Sequence, residues 1–190
     1  WSDEFDGSTV NTSNWTFEIG TGTWGWGNNE LQYYQENNSS IIDGNLVIEA
    51  RSELMENSNY TSSRLITRDK KSFRYGRVDI RAVMPEGRGI WPALWMLGSN
   101  HFQVGWPACG EIDIMEMIGG GNGRDNVLRG TAHWNQGGHV SYGQAYTNES
   151  NLSEEYHVYS IVWDEQNIRW YFDDINFNTM DITPAELSAF

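Results

Sequence analysis

The sequence predicts an all-β protein, a β-sandwich of two antiparallel sheets, on three observations. Its apolar residues recur with period two over short segments, almost no stretch carries a helical period, and 20 glycines supply the tight turns that join short strands. At 190 residues with no internal repeat and no linker, the chain is expected to form one domain over residues 1–190.

In chain order, Trp1–Gly7 reads as an opening strand or loop, and Thr16–Ile19 as a strand. Gly20 to Asn29 is a Gly-Trp-Asn loop. Its two tryptophans cannot both find a local core, so either one faces a ligand groove or the loop plugs an end of the sandwich. Ile41 to Ala50 reads as a hairpin about Asp43-Gly44, a pair suited to positive φ. Arg64–Thr67 is a strand, and Phe73–Met84 alternates until Pro85 stops it. Gly89–Leu97 leads into a buried strand, and Leu128–Trp134 forms another. Tyr156–Trp163 and Ile168–Asp173 pair as a hairpin. Pro184–Leu187 reads as a short helix with Thr183 as its N-cap.

The segment Gly110-Glu111-Ile112-Asp113-Ile114-Met115-Glu116 organises the rest. Ile112 and Ile114 alternate with Glu111 and Asp113, as in a strand with one face in a core. Strict alternation would then bury Glu116 unpaired, at prohibitive cost. A β-bulge near Ile114-Met115 absorbs one residue and returns Glu116 to the acidic face. Glu111 and Glu116 are then separated by about 13 Å between Cα atoms. Leaning together, their carboxyls approach to roughly 5–6 Å, the spacing of retaining rather than inverting glycosidases. An E-x-D-x-x-E run by itself is usually only the solvated face of an antiparallel strand.

Composition narrows the partners. Twelve basic against 26 acidic residues leave a net charge of −14, which disfavours nucleic acid, anionic membrane and sulfated polysaccharide, but not a neutral glycan. No apolar run approaches membrane-spanning length. Cys109 is the only cysteine, so no intrachain disulfide forms. Trp1 reads as the start of a mature or trimmed chain. Ten tryptophans, with Trp91, Trp95 and Trp106 flanking the acidic segment, suit sugar rings whose C–H faces stack on aromatics. The competing reading for these tryptophans is core packing, above all for Trp95 within its apolar run.

Taken together, Gly89-Ile90-Trp91-Pro92-Ala93-Leu94-Trp95-Met96-Leu97 and Trp106-Pro107-Ala108-Cys109-Gly110-Glu111-Ile112-Asp113-Ile114-Met115-Glu116 resemble the signature of glycoside hydrolase family 16, most of all its laminarinase-type endo-β-1,3-glucanases. Gly27–Tyr34, Arg64–Thr67 and Ile168–Asp173 extend the resemblance along the chain.

The resemblance implies a concanavalin-like jelly roll with a substrate cleft on its concave face, secreted and extracellular. It implies double displacement on laminarin-like or mixed β-1,3-1,4-glucans, with Glu111 as nucleophile, Glu116 as acid/base and Asp113 orienting Glu111 or relaying charge. Trp91, Trp95 and Trp106 become the sugar platform, and Asn29, Arg64 and His133 polar cleft residues, with Arg64 alternatively an inter-strand structural pair. Catalysis needs no cofactor, but a structural calcium is implied, for which Glu4 and the carbonyl of Gly44 resemble two ligands. Family members continue past the position of Phe190, so the chain is expected to lack its C-terminal strands or to meet them as a separate piece. The alternatives are a relative acting on agar, carrageenan or xyloglucan by hydrolysis or transglycosylation, or a non-catalytic glucan-binding lectin.

Overall fold

The computed structural model describes all residues from Trp1 to Phe190, which form two compact units, Trp1–Ser72 and Phe73–Phe190. The first unit holds six short strands: β1 (Thr16–Glu18), β2 (Gln32–Tyr34), β3 (Ser39–Ile42), β4 (Asn45–Ile48), β5 (Tyr60–Ser62) and β6 (Arg64–Ile66). β1 pairs antiparallel with β6, β2 runs parallel to β5, and β3–β4 is a hairpin. Asp43 and Gly44 take φ of 49° and 71°, so the hairpin turns where the sequence placed it. Trp1–Gly7 settles as a loop, with Asp3 Oδ2 accepting 2.8 Å from Trp15 Nε1 and 3.1 Å from Asn14 Nδ2. Asn38, fully buried, ties the unit together by donating to the Glu49 carbonyl at 2.8 Å and Thr61 Oγ1 at 2.9 Å.

The Gly-Trp-Asn loop divides its two tryptophans. Trp24, Gly25, Trp26, Gly27 and Asn29 all have positive φ, a winding that no regular helix shares. Trp26 packs locally, with its ring 5.8 Å from Tyr34 and 4.5 Å below the Arg64 guanidinium, whereas Trp24 is 83% exposed.

The second unit is the sandwich. Its strands are β7 (Gly76–Ala82), β8 (Ala93–Leu97), β9 (Glu111–Glu116), β10 (Val127–Asn135), β11 (His139–Thr147), β12 (His157–Trp163), β13 (Asn167–Phe172) and β14 (Ile175–Asp181), with one short helix, α1 (His101–Val104). One antiparallel sheet has the order β11-β10-β9-β8 and the other β14-β13-β12-β7. Between them lie Ile112, Ile114, Met115, Leu128, Ala132 and Trp134 from the first sheet. Tyr159, Ile161, Trp163, Ile168, Trp170, Phe172 and Met180 meet them from the second. Burying each of the larger side chains contributes about 1.5–3 kcal/mol.

Two sequence expectations need correction. β2, β5, β11 and β14 were not anticipated: β2 and β5 are three residues long, and polar residues interrupt the apolar pattern of β11 and β14. The tail forms a single 3₁₀ turn, Ala185–Leu187, and Thr183 does not cap it; its hydroxyl donates 2.7 Å to Asp181 Oδ1. Leu187 and Phe190 enter the core instead.

Candidate active site

The bulge anticipated at Ile114-Met115 is present and is seen from both sides of β9. On β10, Arg129 pairs with Glu116 and Thr131 with Asp113, so Gly130 alone faces Ile114 and Met115. On β8, Leu94 pairs with Met115 and Trp95 with Asp113, leaving Ile114 as the extra residue. Ile114 and Met115 are both buried in the core, while Glu111 and Glu116 are partly exposed. Met115 therefore leaves the acidic face that simple alternation assigned it, and Glu116 joins it.

The bulge leaves two carbonyls to satisfy, and the opposite sheet does so. Trp170 Nε1 donates 2.8 Å to the Asp113 carbonyl, and Asn178 Nδ2 donates 3.2 Å to that of Gly130. Gly130 has to be glycine here, because a Cβ would meet the Trp170 ring at 2.4 Å. Trp170 and Asn178 are themselves cross-strand partners beside a second irregularity, in the β13–β14 pairing.

Residues opposite one another in antiparallel strands share a face. The acidic face accordingly carries Ala93, Trp95 and Leu97 on β8, Glu116, Asp113 and Glu111 on β9, and Arg129, Thr131 and His133 on β10. Two tryptophans from the flanking segments close on the outer carboxylates. Trp91 Nε1 donates 2.9 Å to Glu116 Oε1, and Trp106 Nε1 donates 2.6 Å to Glu111 Oε2. Both indoles are close to half exposed, so each presents ring surface while its N–H is engaged. Trp106 precedes a cis peptide bond to Pro107. Trp95, in register with Asp113, is partly buried.

Asp113 is almost fully buried, and its Oδ2 lies 3.0 Å from His133 Nε2. His133 Nδ1 is in turn 2.8 Å from His139 Nε2. His139, which the sequence reading missed, also packs its ring 4.6 Å from that of Trp106. The Gly137-Gly138 pair between the two histidines is a hairpin signal that would have brought them together.

Burial dominates the electrostatics. It pushes Glu111 up to about 7, with the Asp113 charge adding to the effect and His133 and the Trp106 donor opposing it. Asp113 also rises to about 7, from burial first and then from Glu116. Glu116 is raised by burial, against the Trp91 hydrogen bond and the charge of His133. Desolvation, more than the like charge of Glu111, raises the proton affinity of Glu116.

Elsewhere the expected residues are placed as follows. Arg64 Nε lies 2.6 Å from Glu18 Oε2 across the β1–β6 pair, the inter-strand role that was its alternative. Asn29 is exposed, at φ 57°. Glu4 and Gly44 are both exposed, and Glu4 belongs to no cluster of metal-ligating side chains. Two donors fall short of the 6–8 oxygens calcium takes, so these residues alone do not make its site. The one such cluster is Glu111, Asp113 and His133, whose ligand atoms lie within 4.8 Å of one another. Its mixed nitrogen and oxygen donors are unlike an all-oxygen calcium site.

Comparison with known proteins gives a consistent answer. The family model described as Glycosyl hydrolases family 16 matches residues 8–189. A glucan endo-1,3-beta-glucosidase A1 from Niallia circulans is 41% identical over 91% of this chain, which spans 28% of that relative's length. A beta-glucanase from Rhodothermus marinus is 43% identical over 92% of the chain, which spans 62% of it. Among solved structures, the catalytic domain of an endo-1,3-beta-glucanase (laminarinase) from Thermotoga petrophila RKU-1 superposes with a TM-score of 0.86 at 44% identity, covering 95% of this chain and 75% of that one.

Proposed function

Because the chain belongs to glycosyl hydrolases family 16, we propose that it is a retaining endo-β-1,3-glucanase acting on laminarin-like glucans, with mixed β-1,3-1,4-glucans as secondary substrates. The observation that carries this reading is the bulged strand, which sets Glu111 and Glu116 on one face with a tryptophan N–H on each.

In the first step Glu111 attacks the anomeric carbon, forming a glycosyl ester while the glycosidic C–O bond breaks. Glu116, whose hold on a proton is strengthened by burial, gives its proton to the departing oxygen. In the second step the now ionised Glu116 takes a proton from water. The resulting hydroxide oxygen bonds to the anomeric carbon and Glu111 leaves as carboxylate. No cofactor enters these steps. Asp113, nearly buried beside Glu111, keeps a proton or a charge next to the nucleophile and orients it. The exposed ring surfaces of Trp91 and Trp106 stack on sugar faces, and Trp95 adds to the platform beneath. A polymeric substrate too large to cross a membrane places the reaction outside the cell, as a secreted enzyme.

The test is release of new reducing ends from laminarin, lichenan, agarose and xyloglucan, with the first product followed by NMR. Laminarin is expected to be cut fastest with retained β configuration. Cleavage of agarose or xyloglucan alone, or a first product of inverted configuration, would overturn the reading. Glucan binding without any cleavage would make the protein a lectin.

A further inference from the structure

We propose that Glu111, Asp113 and His133 form a binding site for zinc, and that the ion inhibits the enzyme by occupying the carboxylate that attacks the sugar. Binding is independent of the glucanase reading; inhibition rests on it.

One ligand atom from each of the three side chains lies within 4.8 Å of the others. They come from adjacent strands, since His133 is in register with Glu111 and Thr131 with Asp113. Asp113 is only 3% exposed, yet its Oδ2 has no hydrogen-bond partner. A buried carboxylate oxygen with no donor is costly, and coordination to a cation removes that cost. The same oxygen lies 3.0 Å from His133 Nε2. In a tetrahedral zinc site with bonds of about 2.0–2.2 Å, neighbouring ligand atoms are about 3.3 Å apart. Two ligands therefore already stand near the spacing that one ion requires, and a small rotation of the Glu111 side chain brings in the third. Trp106 Nε1 engages Glu111 Oε2 at 2.6 Å, and the carboxylate has a second oxygen to give. Glu111 and His133 are both partly exposed, so an ion enters from solvent and a water completes its shell.

The surroundings favour a cation. Glu111, Asp113 and Glu116 share their face with one arginine, Arg129, an excess of negative charge that a divalent ion offsets. His139 Nε2 lies 2.8 Å from His133 Nδ1, the position of the outer partner that metal-bound histidines usually have. An imidazole beside two carboxylates selects zinc over calcium or magnesium, which prefer oxygen alone. The ion is no cofactor here: it takes the carboxylate that double displacement needs free, so zinc and glucan exclude one another.

The experiment titrates zinc chloride into the parent protein by calorimetry at one fixed pH and locates the ion in zinc-soaked crystals by anomalous scattering. One zinc per chain is expected between β9 and β10, undisturbed by excess calcium or magnesium. Asp113→Asn and His133→Gln, each close to the parent residue in size or shape, should weaken zinc at least as much as the about 10- to 100-fold that loss of an outer partner costs. On laminarin, zinc should raise KM with kcat unchanged, and a chelator should restore the parent value. No binding, an anomalous peak elsewhere, as at the His101–Cys109 pair, or parent-like affinity in both variants would overturn the site. The location of the ion in the parent protein decides the matter even where a variant does not fold. Zinc seated at the site with laminarin turnover untouched would overturn the inhibition. A parent protein that binds zinc there but cleaves no glucan would keep the site and sink the functional reading.

Discussion

Glu111 and Asp113 sit in surroundings that reward a proton. Their folded values near 7 lie above the ordinary 4.5 and 3.8, so the folded state binds protons more tightly than the unfolded chain between those limits. Stability contributed by this pair is present at low pH and declines as pH rises through about 7. Asp113→Asn should therefore gain on the parent protein between pH 4 and pH 8, by on the order of 1 kcal/mol, read from melting curves at the two pH values. The same substitution should depress kcat. On the proposed mechanism activity should run the opposite way, because a nucleophilic Glu111 must be ionised, which predicts an acid limb near neutrality. Trp106→Phe removes a donor that lowers Glu111, so its acid limb should shift upward and kcat/KM fall by about 10- to 100-fold, in line with a hydrogen bond to a charged group. Glu111→Ala should abolish cleavage while laminarin binding, followed by calorimetry, persists.

At the scale of the strand, the site is the bulge and what supports it from behind. Trp170→Phe keeps the ring but leaves the buried Asp113 carbonyl without its donor, which should cost about 1–3 kcal/mol in urea unfolding and lower kcat as the acidic residues lose their spacing. Gly130→Ala should cost a similar amount, since its methyl group would overlap the Trp170 ring. A core change outside β9 and the residues that brace its bulge, such as Ile161→Val at about 0.5–1.5 kcal/mol, should leave kcat unaltered. The bulge was legible in the sequence because only an inserted residue spares Glu116 from the core. Trp170 and Asn178 were not, since their targets are backbone carbonyls on another sheet, far away in the chain. β11 escaped notice for a different reason. Ser141, Gly143 and Gln144 interrupt its apolar pattern, and with the strand went His139.

Across the whole molecule, the sandwich follows from many short alternating segments, and its β12–β13 hairpin was plain from the pattern. The short strands of the first unit give too few residues for a period to show, and Arg64 illustrates the limit. The sequence allowed it both a sugar-binding and a structural role, and the contact with Glu18 is a matter of register alone. The net charge of −14 makes a further prediction. Turnover of neutral laminarin should be nearly indifferent to salt, whereas any residual turnover of a sulfated glycan should rise with it as repulsion is screened over the roughly 8–10 Å Debye length of ordinary buffers. Stopped assays across a salt series would show the contrast. The displaced residue in β9 has a final consequence for anyone wishing to transplant this chemistry. The six amino acids that bear the carboxylates are not portable by themselves. A graft must also bring the neighbour on either flank and the two amide and indole hands that reach across from the far layer, or the borrowed segment will relax into an ordinary ribbon.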